Sequence, residues 1–177
     1  MTTHTPTTPE QLLEKLTALG IEATTINHPA VYTVEESKAH RGDLPGAHTK
    51  NLFLRNKKGK MWLLVCLEDR KIDIKLLGKA LEAGKLSFGS AARLMEFLGI
   101  EPGSVSPFSA INDREGQVKV VLDTQMMTQS PINAHPLTNT MTTAITPTDL
   151  VRFLESIDHA PEELDMNNLA ELATKAE

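Results

Sequence analysis

The sequence predicts one mixed α/β domain in which helices pack around a central sheet. Three observations support this fold class. The 177 residues fit a single ordinary domain that is long enough to bury a substantial core. Hydrophobic residues make up 40% of the chain and charged residues 23%, as in a typical globular protein. Segments with helix and strand patterns mix without a regular βαβ period, which favours an α+β or mixed-sheet architecture.

The first third of the chain carries two helix-start signals. A capping box with Pro at residues 8–11 predicts a helix, which continues with leucines at helical spacing until Gly20 ends it. Weak alternation at 21–26 indicates a strand. A second capping box opens a short helix over 33–40, and the Gly- and Pro-containing segment 42–46 interrupts it.

The clearest element is a β-hairpin. Two apolar strands, Asn51–Asn56 and Met61–Leu67, flank the polar turn 57–60, which contains a glycine. The second strand is almost wholly apolar, which is typical of a central strand buried on both faces. It contains the single cysteine, Cys66, so the chain has no internal disulfide.

The same signals predict the rest of the domain. We expect the acidic segment 161–177 to form a last helix that is loosely attached, and residues 1–8 to be a flexible start. The other predicted elements are helices at 74–81, 91–98 and 147–157, and strands at 86–88, 118–123 and 141–145.

Charge is unevenly distributed along the chain. The net charge is −5, yet residues 38–85 hold 12 Lys and Arg against 5 Asp and Glu. Such a segment can present a local phosphate-binding face, because the nearby field matters and is screened over about 8–10 Å. The alternative is that Lys57, Lys58 and Lys60 merely solvate the hairpin turn.

Several function classes find no support in the sequence. No apolar run approaches the roughly 20 residues of a membrane helix, and the N-terminus lacks the features of a secretory signal. We therefore expect a cytoplasmic protein with no membrane partner. The six histidines and one cysteine show no metal-ligand spacing, and no nucleophile elbow or phosphate-binding glycine loop is present. We expect neither a metal nor another cofactor.

Three segments carry polar groups that packing alone does not explain. Lys50 opens the first hairpin strand, as a solvated strand end or as a cation beside a cavity. The loop 103–108 is either a connector or a turn whose backbone groups point at a ligand. His135 either hydrogen-bonds a ligand or satisfies a buried carbonyl.

Together these segments resemble the YbaK/prolyl-tRNA-synthetase-associated editing domain family. Lys-Asn-Leu-Phe-Leu at 50–54 and Pro-Gly-Ser-Val-Ser-Pro-Phe at 102–108 carry the resemblance, together with Asn-His-Pro-Ala at 27–30 and Asn-Ala-His-Pro-Leu at 133–137. It covers nearly the whole chain, is strongest for the free-standing branch that clears alanyl-tRNA for proline, and implies a mixed, mostly antiparallel central sheet.

The resemblance also implies the site. Lys50 matches the lysine on which activity depends, and Gly103 and Pro107 match a loop lining the aminoacyl pocket, so these three residues are the expected catalytic set. The expected substrate-binding residues are Asn51, Ser104, Val105, Phe108, His135 and His28. The expected tRNA-binding residues are Lys57, Lys58, Lys60, Arg70, Lys71, Lys75 and Lys79.

The implied activity is hydrolysis of the ester in mischarged alanyl-tRNA for proline, with that tRNA and prolyl-tRNA synthetase as partners. An activated ester needs placement and water activation more than a strong nucleophile. Two alternatives remain open at this point. One is a deacylase for cysteinyl-tRNA or another small-residue charge, and the other is a module that binds tRNA or a synthetase without hydrolysis.

Overall fold

A computed structural model describes residues 5–41 and 44–176 of the chain. One eight-stranded sheet runs through it in the order β1-β7-β6-β2-β3-β5-β8, with β4 paired to β2. The strands are β1 (Thr24–Asn27), β2 (Ala47–Arg55), β3 (Met61–Leu67), β4 (Ser87–Phe88), β5 (Val118–Asp123), β6 (Ile132–Ala134), β7 (Met141–Ile145) and β8 (Glu162–Leu164).

The β2–β3 hairpin lies at the centre of this sheet, as predicted. Its antiparallel register runs from Thr49 opposite Leu67 to Arg55 opposite Met61. Strand β3 lies between β2 and β5, and its first six residues are buried. A strand covered on both faces and paired on both edges has no polar face to present, which explains its unbroken apolar sequence.

The sheet is mixed, which confirms the predicted fold class. Strand pairs β1–β7, β2–β3, β2–β4 and β6–β7 are antiparallel, whereas β2–β6, β3–β5 and β5–β8 are parallel. Each parallel pair requires a long crossover, and helices or loops fill these connections. The short strand β6 was not predicted, because three residues are too few to show an alternating pattern.

Helices cover both faces of the sheet. None of those in the described part of the chain combines the length and the hydropathy needed to span a bilayer. The helices are α1 (Pro9–Ala18), α2 (Val34–Arg41), α3 (Ile74–Ala80), α4 (Ala91–Arg93, continued by a π-helical turn at Leu94–Leu98), α5 (Pro147–Ser156) and α6 (Leu169–Lys175).

Strand β3 supplies side chains to two hydrophobic cores. Met61, Leu63 and Val65 enter the larger core, which includes residues of α1 and α5. Trp62 and Leu64 alternate with them and enter a second core against α3 and α6. Alternation along one buried strand therefore joins the two layers of helices.

The C-terminal segment differs from the prediction of a loosely attached helix. Glu162–Leu164 forms β8 in parallel register with β5, and α6 packs against α3. Met166, Leu169 and Ala173 are buried. The acidic composition hid this attachment, because the apolar residues that hold the segment are few and widely spaced.

The predicted flexible start lies partly outside the described residues, since residues 1–4 are not included. The described part makes specific contacts: Thr7 N donates to Asn112 Oδ1 at 2.8 Å, and Thr8 forms the predicted capping box with Gln11. The predicted break at 42–46 also falls partly on residues outside the description, Gly42 and Asp43.

A buried ion pair ties the start of β5 to the segment after α5. Asp113 Oδ2 lies 2.9 Å from His159 Nε2, and each side chain is 3% exposed. Burial lowers the pKa of His159, but the hydrogen bond and charge of Asp113 outweigh it, so the pKa is raised. Asp113 also accepts from Val118 N and Gln117 N, and despite burial its pKa is lowered.

This pair predicts a pH-dependent contribution to stability. A raised pKa for His159 means that its charge stabilises the fold below its ordinary pKa and that this contribution is lost as pH rises through the raised value. His159→Gln should lower the free energy of unfolding by about 3 kcal/mol at about pH 5.5 and by clearly less at about pH 9. Denaturant unfolding at both pH values measures the difference, and an equal loss at both would contradict this explanation.

Candidate active site

A small cavity of about 240 Å³ opens beside the first half of β2. It collects five residues that the sequence nominated from three distant segments: Lys50, Asn51, Gly103, Val105 and His135. Residues outside the predicted set complete its wall: Val31, Tyr32, Thr33, Val34, Ser37, Thr49 and Glu68. The volume lies below the roughly 300–1,000 Å³ of pockets that bury drug-sized ligands, so the cavity suits a small group.

Lys50 is the cation of this cavity. It lies on β2 opposite Cys66, and its ammonium donates to the main-chain carbonyl of Arg70 in the turn after β3. The side chain is half-buried. A compact ammonium with three donors can hold one protein acceptor and still present donors to a ligand.

The loop from Gly103 also contributes to the wall of the cavity. Gly103 has φ +92°, and a Cβ placed there would lie 3.1 Å from Cδ1 of Tyr32, so the position requires glycine. Gly103 and Val105 line the cavity, whereas Ser104 is buried and its N–H donates to Glu101 O at 3.1 Å. Ser104 therefore stabilises the conformation of the loop and does not line the cavity.

Two predicted site residues in this loop lie in the core. Pro107 begins a buried 3₁₀ turn, and Phe108 is 0% exposed with its ring centroid 5.4 Å from that of Phe153 in edge-on geometry. Neither residue lines the cavity. The expected role of Phe108 as a pocket wall is corrected, because the turn that Pro107 starts points the aromatic ring inward.

His135 and His28 are neighbours with different roles. His135 lines the cavity, and its Nδ1 lies 2.8 Å from Met141 O. Burial lowers the pKa of His135, although the hydrogen bond to Met141 opposes this, so the ring is neutral at pH 7 and Nε2 can accept. The His28 ring lies 5.9 Å from that of His135 and does not line the cavity. It contacts Thr142 Oγ1 at 2.9 Å through Nε2.

Asn51 contributes an amide to the same cavity. Its Oδ1 is buried and has no hydrogen-bond partner among the described residues. A buried acceptor without a partner destabilises a hydrophobic core. Such an acceptor is expected at a binding site, where a ligand supplies the donor.

Two of the wall residues outside the predicted set, Tyr32 and Glu68, carry groups that can interact with a ligand. Tyr32 is 69% exposed and lies against Gly103, so it presents an aromatic face at the rim of the cavity. Glu68 follows β3, is 8% exposed and adds a carboxylate to the lining. The sequence contains one signal for Tyr32, since it is the single tyrosine and stands three residues after Pro29 of the His-Pro motif.

Comparison with known proteins identifies the family. The family model for the aminoacyl-tRNA editing domain matches residues 28–153 of the chain. The chain belongs to this family. The match spans every segment that contributes to the cavity, from the loop before α2 to His135 after β6, and it confirms the resemblance drawn from the sequence motifs.

Individual relatives agree with the family match. Prolyl-tRNA synthetase associated domain-containing protein 1 of Danio rerio is 40% identical over 154 residues, covering 86% of this chain and 84% of the relative. Prolyl-tRNA editing protein ProX of Acetoanaerobium sticklandii is 36% identical over 148 residues, covering 83% and 90%. A solved structure of a candidate trans-editing enzyme for prolyl tRNA synthetase has a TM-score of 0.69 at 18% identity, covering 90% and 96%, and supports the fold alone.

The one cysteine of this editing domain is not a nucleophile. Burial raises the pKa of Cys66 to about 12, although the nearby charge of Lys50 acts in the opposite direction. A thiol with that pKa is almost wholly protonated at neutral pH, whereas the thiolate is the reactive form. Among the described residues no cluster of three or more His, Cys, Asp or Glu could hold a metal ion.

The predicted tRNA-binding cations of the editing domain fall into separate groups. Lys57, Lys58 and Lys60 line a groove of about 490 Å³ at the hairpin turn, together with Lys85 and Lys119. Lys71, Lys75 and Lys79 are exposed near α3. Six residues of extended strand separate Lys50 from the turn, which corresponds to about 20 Å.

Arg70 differs from the exposed lysines of this set because its guanidinium is mostly buried. Its guanidinium contacts Asp123 at 2.6 and 3.2 Å and Gln125 at 2.9 Å, and the side chain is only 17% exposed. A guanidinium held this way is committed to the protein. The expectation that Arg70 contacts tRNA phosphates is therefore corrected.

Proposed function

We propose that the protein is a trans-editing aminoacyl-tRNA deacylase that hydrolyses the ester of alanyl-tRNA mischarged on the tRNA for proline. The observation that carries this proposal is the small cavity that the half-buried Lys50 lines together with Gly103, Val105 and a neutral His135. Membership in the aminoacyl-tRNA editing family and similarity to a prolyl-tRNA editing protein support it.

The chemistry follows from an ester that is already activated. Lys50 holds polar groups of the terminal nucleotide or of the aminoacyl group as a fixed cation. Backbone groups of the loop orient the attacking water and stabilise the developing oxyanion. Because the Ser104 N–H is already bonded within the loop, we assign this role to the groups at Gly103 and Val105. The ribose hydroxyl beside the ester assists proton transfer, so no strongly basic side chain is needed.

The size of the cavity supports a small aminoacyl group. A synthetase site built for proline rejects the smaller alanine poorly, because each missing methylene changes binding by only about 1–3 kcal/mol. A second site that admits small side chains and excludes proline by steric contact removes the error. In this chain Val105, His135 and Tyr32 are the walls able to impose that limit.

The hairpin groove supports binding of the tRNA body. Five lysines line it against one carboxylate, Glu82, although Lys119 also pairs with Glu162 at 2.7 Å. Because these cations lie about 20 Å along the strand from Lys50, we assign them to phosphates further along the acceptor stem than the nucleotide at Lys50. Lys71, Lys75 and Lys79 are proposed to extend this contact, and prolyl-tRNA synthetase is the proposed source of the substrate.

Single-turnover deacylation of one tRNA for proline, charged separately with alanine, cysteine, serine or proline, tests the function. We expect alanine to be released fastest and proline to be spared by at least about 100-fold, because we propose that the walls at Val105, His135 and Tyr32 exclude the proline ring by steric contact. Faster release of cysteine or serine would support the deacylase activity but contradict the proposed specificity for alanine. Binding of tRNA with no hydrolysis of any ester would instead establish a binding module.

Salt dependence of tRNA binding tests the groove. Lys57→Gln combined with Lys58→Gln should reduce the slope of log K against log salt concentration by about one unit per lost phosphate contact, hence by about two. The matched control removes two lysines from other surfaces, Lys15 and Lys175. An equal change in slope for both double variants would show that only net charge matters.

A further inference from the structure

The partner of the Lys50 ammonium is a main-chain carbonyl, and that carbonyl is itself held in place. Arg70 lies in the turn between β3 and α3, where its N–H donates to Leu67 O at 3.1 Å and its C=O accepts from Lys50. The Arg70 carbonyl is part of a surface turn, so any movement of the turn also moves this hydrogen-bond acceptor. The position of the ammonium therefore depends on what immobilises Arg70.

The Arg70 side chain reaches into the protein and anchors the turn. Its Nε lies 2.6 Å from Asp123 Oδ2 and its Nη2 lies 3.2 Å from Asp123 Oδ1. The same Nη2 lies 2.9 Å from Gln125 Oε1. This two-point contact fixes both the distance and the orientation of the guanidinium, which a lysine ammonium at this position cannot reproduce.

Asp123 connects this anchor to the centre of the sheet. It is the last residue of β5, is 0% exposed and also accepts from Leu67 N at 3.2 Å and Gln125 N at 3.1 Å. One carboxylate therefore joins the end of β5, the end of β3 and the turn that carries the Arg70 carbonyl. A buried carboxylate is stable only when donors satisfy its oxygens, so loss of one of these partners would destabilise the whole cluster.

We propose that Asp123 and Arg70 are positioning residues that hold the Lys50 ammonium in one place, against the Arg70 carbonyl. Neither touches the substrate; both act through the Arg70 carbonyl. A lysine side chain has four rotatable methylenes, so an unanchored ammonium spreads over many positions, and small displacements of a catalytic group reduce rate strongly. The catalytic consequence rests on the proposed deacylase function, whereas the structural link to Lys50 does not.

A second buried aspartate near β5 supplies a matched control. Asp113 lies before the start of β5, as Asp123 lies at its end, and is also a buried aspartate that pairs with a cation and accepts two backbone N–H groups. Asp113→Asn removes a comparable buried ion pair without touching Arg70 or Lys50. Loss of stability alone should therefore affect Asp113→Asn and Asp123→Asn alike.

Chemical labelling of lysines tests the link without any substrate. Trace acetylation with acetic anhydride, followed by peptide mass spectrometry, gives the reactivity of Lys50 relative to the surface residues Lys15 and Lys175. Asp123→Asn should raise the relative reactivity of Lys50 by about threefold or more, because the ammonium loses a fixed hydrogen-bond acceptor. Asp113→Asn should leave it unchanged. Unchanged reactivity in Asp123→Asn, or an equal rise in both variants, overturns the proposal.

Deacylation kinetics test the consequence. At saturating enzyme, and below the melting temperatures of both variants, Asp123→Asn should slow single-turnover release of alanine by about tenfold with tRNA affinity within about twofold of wild type. Asp113→Asn should retain the wild-type rate. A wild-type rate in Asp123→Asn overturns the inference. A wild-type enzyme that hydrolyses none of the charged tRNAs instead contradicts the proposed function and leaves the labelling result to decide the link.

A milder substitution covers the case in which Asp123→Asn does not fold. Gln125→Ala removes the contact to Arg70 Nη2 but leaves the Arg70–Asp123 ion pair intact. It should raise the relative reactivity of Lys50 and lower the rate in the same direction by smaller factors. No change in either quantity would contradict the proposal.

Discussion

The whole structure depends on β3 being buried on both faces and paired on both edges. Its alternating side chains enter two cores, so the helices on each face of the sheet are fixed relative to one strand. Its seven-residue register with β2 then places Lys50 opposite Cys66, at the end of the hairpin where the chain turns towards α3. The cation of the candidate site therefore lies on the longest strand pairing among the described residues, and only the tip of its side chain needs further anchoring.

The polar groups around this hairpin divide into two kinds. Asp123 and Arg70 form a buried pair that is satisfied within the protein, and it stabilises the turn beside the cavity. Lys50, Asn51 and His135 line a small cavity, and Asn51 Oδ1 has no hydrogen-bond partner among the described residues. Packing and hydrogen bonding account for the first kind completely, whereas the second kind is consistent with a ligand that brings its own donors and acceptors.

Sequence reasoning worked where one local signal decided the structure. The bounds of Met61–Leu67 and Val118–Asp123 follow from apolar runs between turns, and the motifs of the editing family nominated Lys50, Gly103 and His135. Sequence reasoning failed where a contact with a residue distant in sequence determined the structure. In the sequence Arg70 resembles the other cations, and only the structure shows its ion pair with Asp123. Phe108 directly follows the loop that lines the cavity, yet its ring packs in the core. The acidic strand β8 is a strand because β5 offers it a free edge.

The most direct test of the account is the rate at which Lys50→Ala releases alanine from the tRNA for proline in a single turnover at saturating enzyme. The account predicts a loss of at least about 100-fold relative to wild type, comparable to removal of one electrostatic contact to a developing oxyanion. Lys15→Ala, on α1, should retain the wild-type rate. A Lys50→Ala protein that hydrolyses the ester within about threefold of wild type would contradict the account, because the cavity would then act without its cation.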